Sequence, residues 1–193
     1  MTHTPVKLTF EQYLEYDDRT DNRYELFNGE LIKVPPESGK NNWITLWLRD
    51  KLILLVKPEL IRPIGCEVQV QGNPQNRYPD LVLLREEHLL QIERRLTITL
   101  NMVPPQFVAE VVSPYRNQND ENYRRDYLEK RQQYEQRGIP EYWIIDPQAQ
   151  VVIVLLLVQG SYQETKFTGN QRIVSRTFPQ LELTAAQVLQ AKQ

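Results

Sequence analysis

Residues 106–114 run QFVAEVVSP, an apolar extended segment closed by Pro114 with one carboxylate, Glu110, at its centre. Alternate side chains of a strand share a face. Phe107, Ala109 and Val111 therefore lie on one face, and Val108, Glu110 and Val112 on the other. Both faces are apolar, which predicts a central strand covered on both sides. Glu110 then stands between two valines where an unpaired carboxylate is strongly unfavourable. It must be protonated, paired or bound to a cation. The plainer alternative is a buried Glu satisfied by an Arg or by backbone amides.

Working outward, residues 120–137 read as a helix ended by Gly138. At 100° per residue Tyr123, Tyr127 and Tyr134 fall on one stripe, with Lys130 in its middle and Asp126 at its side. A lysine thus occupies the face that packs on the sheet. An Asp126–Lys130 i,i+4 pair worth about 0.3–0.5 kcal/mol, or a snorkelling stem, would account for it blandly. The functional alternative points Lys130 at a carboxylate site, where it would orient water and stabilise charge on a phosphoryl oxygen. Upstream, Asp80 opens the short apolar strand DLVLL after Pro79. Alone it reads as an Asp finishing a turn. Paired with Glu110 it supplies the second oxygen ligand of a Mg²⁺ site completed by waters and a phosphate.

The remaining pattern is of mixed type. LTFEQYLEYD is a short amphipathic helix opened by Thr9. RYELFNGELIKV is a hairpin turning at Asn28-Gly29. NNWITLWLRDKLILLVKP is a helix of roughly four turns, capped by Asn41 or Asn42 and followed by Pro58. CEVQVQG alternates like a half-buried strand, and residues 85–104 are a helix or an irregular connection. EYWIID and VVIVLLLV are strands around a DPQAQ turn; SYQETKF and IVSRTF form a final hairpin or edge; TAAQVLQA is a short helix opened by Thr184. The expected fold is α/β (α+β), a mixed central sheet flanked by helices, with an N-terminal helix and β-hairpin, in one domain over residues 1–193.

Composition narrows the chemistry. Cys66 is the only cysteine, so an intramolecular disulfide and a cysteine zinc site are excluded. His3 and His88 are the only histidines, which leaves a His-rich metal site or a Ser-His-Asp triad poorly supported. A net charge of −2 argues against a protein that coats nucleic acid non-specifically. No apolar run reaches about 18 residues and the N-terminus lacks an apolar signal core. A cytoplasmic protein with no membrane partner is expected.

The ordered set Pro79-Asp80, then Glu110-Val111-Val112, resembles the PD-(D/E)XK nuclease superfamily. The runs EVVSP and DYLEKRQQYEQRGIPEYWIIDP resemble more closely its Uma-type, restriction-endonuclease-like family. RYELFNGELI, YPDLVLL and VSRTFPQLEL match that family's other blocks. The resemblance implies a restriction-endonuclease-like core and cutting of DNA with Mg²⁺ or Mn²⁺. Asp80 and Glu110 would hold the metal, and homodimerisation would be expected. Position 112, where the superfamily places its lysine, is Val. The resemblance implies that the lysine has moved to the following helix, as Lys130. Many relatives carry a His before the first long helix, where this chain reads SGKNNW, so Lys40 or Asn41 substitutes or that contribution is absent. Relatives also bring a Glu from an N-terminal element to the metal, which makes Glu25 a further catalytic candidate beside its alternative as a solvent-facing strand residue. Glu67 is a weaker candidate, and Tyr142 and Trp143 read as core. Two outcomes separate the functional reading from the structural one. A direct Lys130–Glu110 bond with Asp80 in solvent favours a mere ion pair; an open pocket holding Asp80 and Glu110 favours a metal enzyme.

Overall fold

A computed structural model describes residues 7–191; His3 and the outermost ends of the expected 1–193 domain lie outside them. The chain begins with helix α1 (Phe10–Leu14), closed by a capping box between Thr9 and Gln12. Strands β1 (Tyr24–Phe27) and β2 (Glu30–Lys33) form the expected hairpin. Asn28 and Gly29 have φ of 51° and 84°, the pair of positive values a type I′ turn demands. Helix α2 (Gly39–Leu52) follows. Its cap is Ser38, whose hydroxyl accepts from the Asn41 amide, rather than Asn41 or Asn42. Asn41 is instead turned inward and buried.

Next come β3 (Ile61–Pro63), β4 (Glu67–Gln69), β5 (Asn76–Arg77) and β6 (Leu81–Leu83). Helix α3 (His88–Gln91) and β7 (Thr97–Ile98) resolve the ambiguous stretch 85–104. Strand β8 is Phe107–Val111, with all five residues buried. Beyond it, α4 (Glu121–Tyr123), a wide π-type segment (Arg124–Glu129) and α5 (Lys130–Arg137) follow one another without a gap. Gly138 ends the run at φ 79°, the left-handed cap its sequence predicts. Strands β9 (Glu141–Asp146), β10 (Val151–Val158) and β11 (Ser161–Thr168) and helix α6 (Ala185–Gln190) complete the chain.

The main sheet has six strands in the order β11-β10-β9-β8-β6-β3, with β8 and β9 the parallel pair. A smaller sheet has the order β5-β4-β7. This is the mixed α/β architecture the sequence predicts. One face of the main sheet seats Phe107 edge-on against Trp143 and Phe178. The other receives the interrupted helix, with Tyr134 packed edge-on against Tyr142. Tyr142 and Trp143 are core, as expected. Residues 173–178 depart from the expected hairpin or edge and form no strand; beside them Arg172 makes an isolated bridge to Thr184. The buried Glu141 explains this, since its carboxylate accepts from the Ser175 hydroxyl and the Arg176 and Thr177 amides and draws the segment inward. Among the described residues no helix is long and apolar enough to cross a membrane.

Candidate active site

The β6–β8 register fixes the site. Leu81 faces Ala109, and the ladder continued one step sets Asp80 opposite Glu110. Directly opposed residues of an antiparallel pair share a face with Cβ atoms about 4.5–5.5 Å apart, and like charges there destabilise the sheet. Both carboxylates are buried, at 7% and 2% exposure. Burial raises the Asp80 carboxyl well above its ordinary range, and the charge of Glu110 adds to the effect. Burial also raises Glu110, against the pull of Lys130.

Glu110 has two partners. Its Oε2 accepts from Lys130 Nζ at 2.7 Å and its Oε1 from the Tyr134 hydroxyl at 2.6 Å. An ionised carboxylate has about four acceptor positions, so each oxygen retains one. Asp80 Oδ2 accepts from the Val111 amide at 2.6 Å. Its Oδ1 accepts from no described residue, and Asp80 lines the cleft.

Lys130 is shared. Its ammonium lies 2.7 Å from Glu110 and 3.0 Å from Asp126. Burial would lower its pKa, yet Asp126 and Glu110 hold it above the ordinary lysine value, so the cation is retained. Asp126 is clamped in turn by Arg125 at 2.9 Å through both oxygens and by the Ser113 amide at 3.1 Å. Burial would raise it, but Lys130 and Arg125 bring it down to about 2.

A cleft of about 350 Å³ joins these groups, with Glu25, Asn41, Asp80, Glu110, Arg125 and Lys130 on its walls. Glu25 does reach the cleft, but its charge is answered by Arg77 at 3.1 Å. Arg77 also binds Glu129 and Gln133. Asn41, in the first turn of α2, donates to the Val111 carbonyl at 3.1 Å, so the stretch that lacks a His still contributes a polar side chain. Lys40 is exposed and does not line this cleft. Glu67 stands apart in a buried network with Tyr13, Asn76, Arg95 and Thr97.

The two outcomes posed by the sequence both occur in part. Lys130 bonds Glu110 directly, as an ion pair would, while Asp80 is buried in a shared cleft, as a metal site would have it. Among the described residues no three His, Cys, Asp or Glu side chains are grouped to hold a metal ion. The donor set still suits Mg²⁺, which keeps several waters and takes one or two carboxylates. Charge supports the fit, because Asp80, Glu110 and Asp126 outnumber Lys130 and Arg125 by one when ionised. Sequence reasoning missed Arg125 as the clamp on Asp126 and Arg77 as the partner of Glu25. The Arg77–Glu25 pairing has no local signature, since it joins segments 52 positions apart, whereas Arg125 stands directly before Asp126 and was legible as its neighbour.

Among solved structures the chain is similar to a crystal structure titled "putative nuclease belonging to DUF820" from Anabaena variabilis. Identity is 19%, the TM-score is 0.66, and the match covers 95% of this chain and 98% of that one. At this identity the likeness is one of fold. No curated protein matches. The Uma2 family, described as "Putative restriction endonuclease", matches over residues 10–186, and the chain belongs to that family.

Proposed function

We propose that this chain is a divalent-metal-dependent endonuclease that hydrolyses DNA phosphodiester bonds, with Asp80 and Glu110 as metal ligands and Lys130 and Glu25 as further catalytic groups. The observation that carries the proposal is the pair of buried carboxylates, Asp80 directly before β6 and Glu110 in the neighbouring β8, lining one cleft. Such a pair destabilises an apo sheet and acquires a purpose when a cation lies between its members. Mg²⁺ or Mn²⁺ bound there would polarise the phosphoryl oxygen and lower the pKa of a bound water. Asp80 offers its unpartnered oxygen. Glu110 is aimed by Tyr134 and Lys130. Lys130, kept charged by Asp126, stands where it can orient the attacking water or stabilise the charge that develops on phosphorus-bound oxygens. Glu25, on the hairpin wall, orients that water or the strand from the opposite side.

One such site cuts one strand, so duplex cleavage calls for two copies, and we extend the proposal to a cytoplasmic homodimer. The alternative is a lapsed nuclease fold that binds nucleic acid or protein. It draws on the direct Lys130–Glu110 bond, which already satisfies one Glu110 oxygen. The test is nicking of supercoiled plasmid with Mg²⁺ or Mn²⁺ by the wild type and by Asp80→Ala, Glu110→Ala and Lys130→Ala. The wild type should cut, the two carboxylate variants should not, and Lys130→Ala should lose about 10²–10³ in rate. Robust cutting by Glu110→Ala would sink the assignment.

A further inference from the structure

A second cleft, of about 550 Å³, opens beside the carboxylates and shares Tyr78, Asp80 and the 33–37 turn with the first. Arg23 reaches across it from the hairpin. Its guanidinium carbon lies 5.8 Å from the centre of the Tyr78 ring. On the opposite wall is Gly65, where a Cβ would come within 3.2 Å of Arg23 Nη2. Gly65 has φ of 113°, and Ile64 before it has φ of 45°, an unusual value for a β-branched residue. The Ile64 amide donates to the Asp80 carbonyl at 2.8 Å. The strained turn against which Arg23 rests is therefore tied to the backbone of a site carboxylate. Strain of this kind persists where the surroundings over-determine it, and it concentrates at ligand clamps.

Among the described residues the donors of Arg23 are unused. Among the described residues no carboxylate lies within ion-pairing distance of it, and none accepts a hydrogen bond from its guanidinium. Lys33 is the other cation on this cleft, and Asp21 and Glu37 also line it, so it is no uniformly basic track. A single planar guanidinium among carboxylates suits one phosphate gripped in a fixed geometry. We propose, building on the nuclease function above, that Arg23 clamps a neighbouring backbone phosphate of the nucleic-acid strand whose scissile phosphate lies at Asp80 and Glu110. The strand then runs from one cleft into the other, and Arg23 sets its register without reading sequence.

The test is binding of a short fluorescein-labelled DNA duplex by anisotropy across a salt series. Asp80→Asn is the parent, so that nothing is cut. Adding Arg23→Gln should weaken binding about tenfold and flatten the slope of log K against log salt by about 0.9, the value of one lost phosphate contact. Adding Arg23→Lys should keep the slope. Arg23 is exposed, and thermal melting of each variant checks that the fold is kept. If the parent binds DNA and Arg23→Gln changes neither affinity nor slope, the clamp is wrong and the nuclease assignment stands. If neither the parent nor the wild type without metal binds nucleic acid, both fall together.

Discussion

Lys130→Met removes the cation from a pair whose side chains are 12% and 3% exposed, so solvent screens the interaction little. Glu110 is left with the Tyr134 hydroxyl, while Asp126 keeps Arg125 and the Ser113 amide. Breaking one side of a buried pair costs about 3–5 kcal/mol. Because burial already raises the Glu110 pKa, the orphaned carboxyl takes up a proton, which holds the loss near about 3 kcal/mol. For a chain of 193 residues, each kcal/mol lowers Tm by about 2–4 °C. The expected drop is therefore about 6–12 °C, read by circular dichroism and checked by urea unfolding. Glu110→Gln added to Lys130→Met relieves the cost of protonating Glu110 and keeps an acceptor for Tyr134. The double variant should recover about 2 kcal/mol, the coupling expected of contacting residues. A double variant that melts at or below Lys130→Met would refute the claim that these two groups hold each other's charge.

Three further outcomes follow from the electrostatics of buried groups. Asp80→Asn, without added metal, should be as stable as the wild type or up to about 1 kcal/mol more stable, because it removes a like charge facing Glu110 and keeps an acceptor for the Val111 amide. Mg²⁺ at about ten times its Kd should stabilise the wild type by about 1.4 kcal/mol and leave Asp80→Asn unmoved, as scanning calorimetry will show; an equal shift in both would place the ion elsewhere. His88 is buried, its Nδ1 accepts from the Arg85 amide, and burial lowers its pKa below the ordinary 6.5. The folded state thus favours the neutral ring, while the unfolded chain binds a proton as pH falls through 6.5. Stability should be fullest above that pH, decline below it, and level off beneath the folded pKa, with a shallower decline in His88→Gln measured by urea unfolding.

Much of the fold was legible because local chemistry and global packing agree. Thr9 and Thr184 cap their helices, Asn28-Gly29 turns its hairpin, and Gly138 ends its helix, each through a few adjacent atoms. Glu110 was legible because a carboxylate inside an apolar strand breaks a period-2 pattern. What stayed hidden depends on docking. The β6–β8 register, continued to Asp80 and Glu110, joins segments far apart in sequence, as does the Val111–Asp80 bond between residues 31 positions apart. The helical stripe was legible as well, although the π-type segment Arg124–Glu129 widens the helix. Lys130 and Tyr134 face Glu110, while Tyr127 donates to Asp146 farther along the same sheet face and Tyr123 stacks on Tyr127 at 4.4 Å.

The helix phase bears on why Val can stand at position 112. A lysine on the strand would be placed by the strand itself, two residues from Glu110 on the same face. A lysine on the helix is placed only if the helix docks in one phase and at one depth. The structure supplies the constraint through Asp126, which binds Lys130 on one side and the Ser113 amide on the other, while Arg125 reaches the Ser113 hydroxyl at 2.9 Å. Ser113 is the residue that follows Val112. The helix is thus fastened to the end of the strand that carries Glu110, by a carboxylate one turn from the lysine. Two aspartate contacts and one arginine replace what a local strand lysine would have provided. The site and the helix seat therefore form together, and substitutions that loosen Ser113 or Asp126 act on Lys130 without touching it.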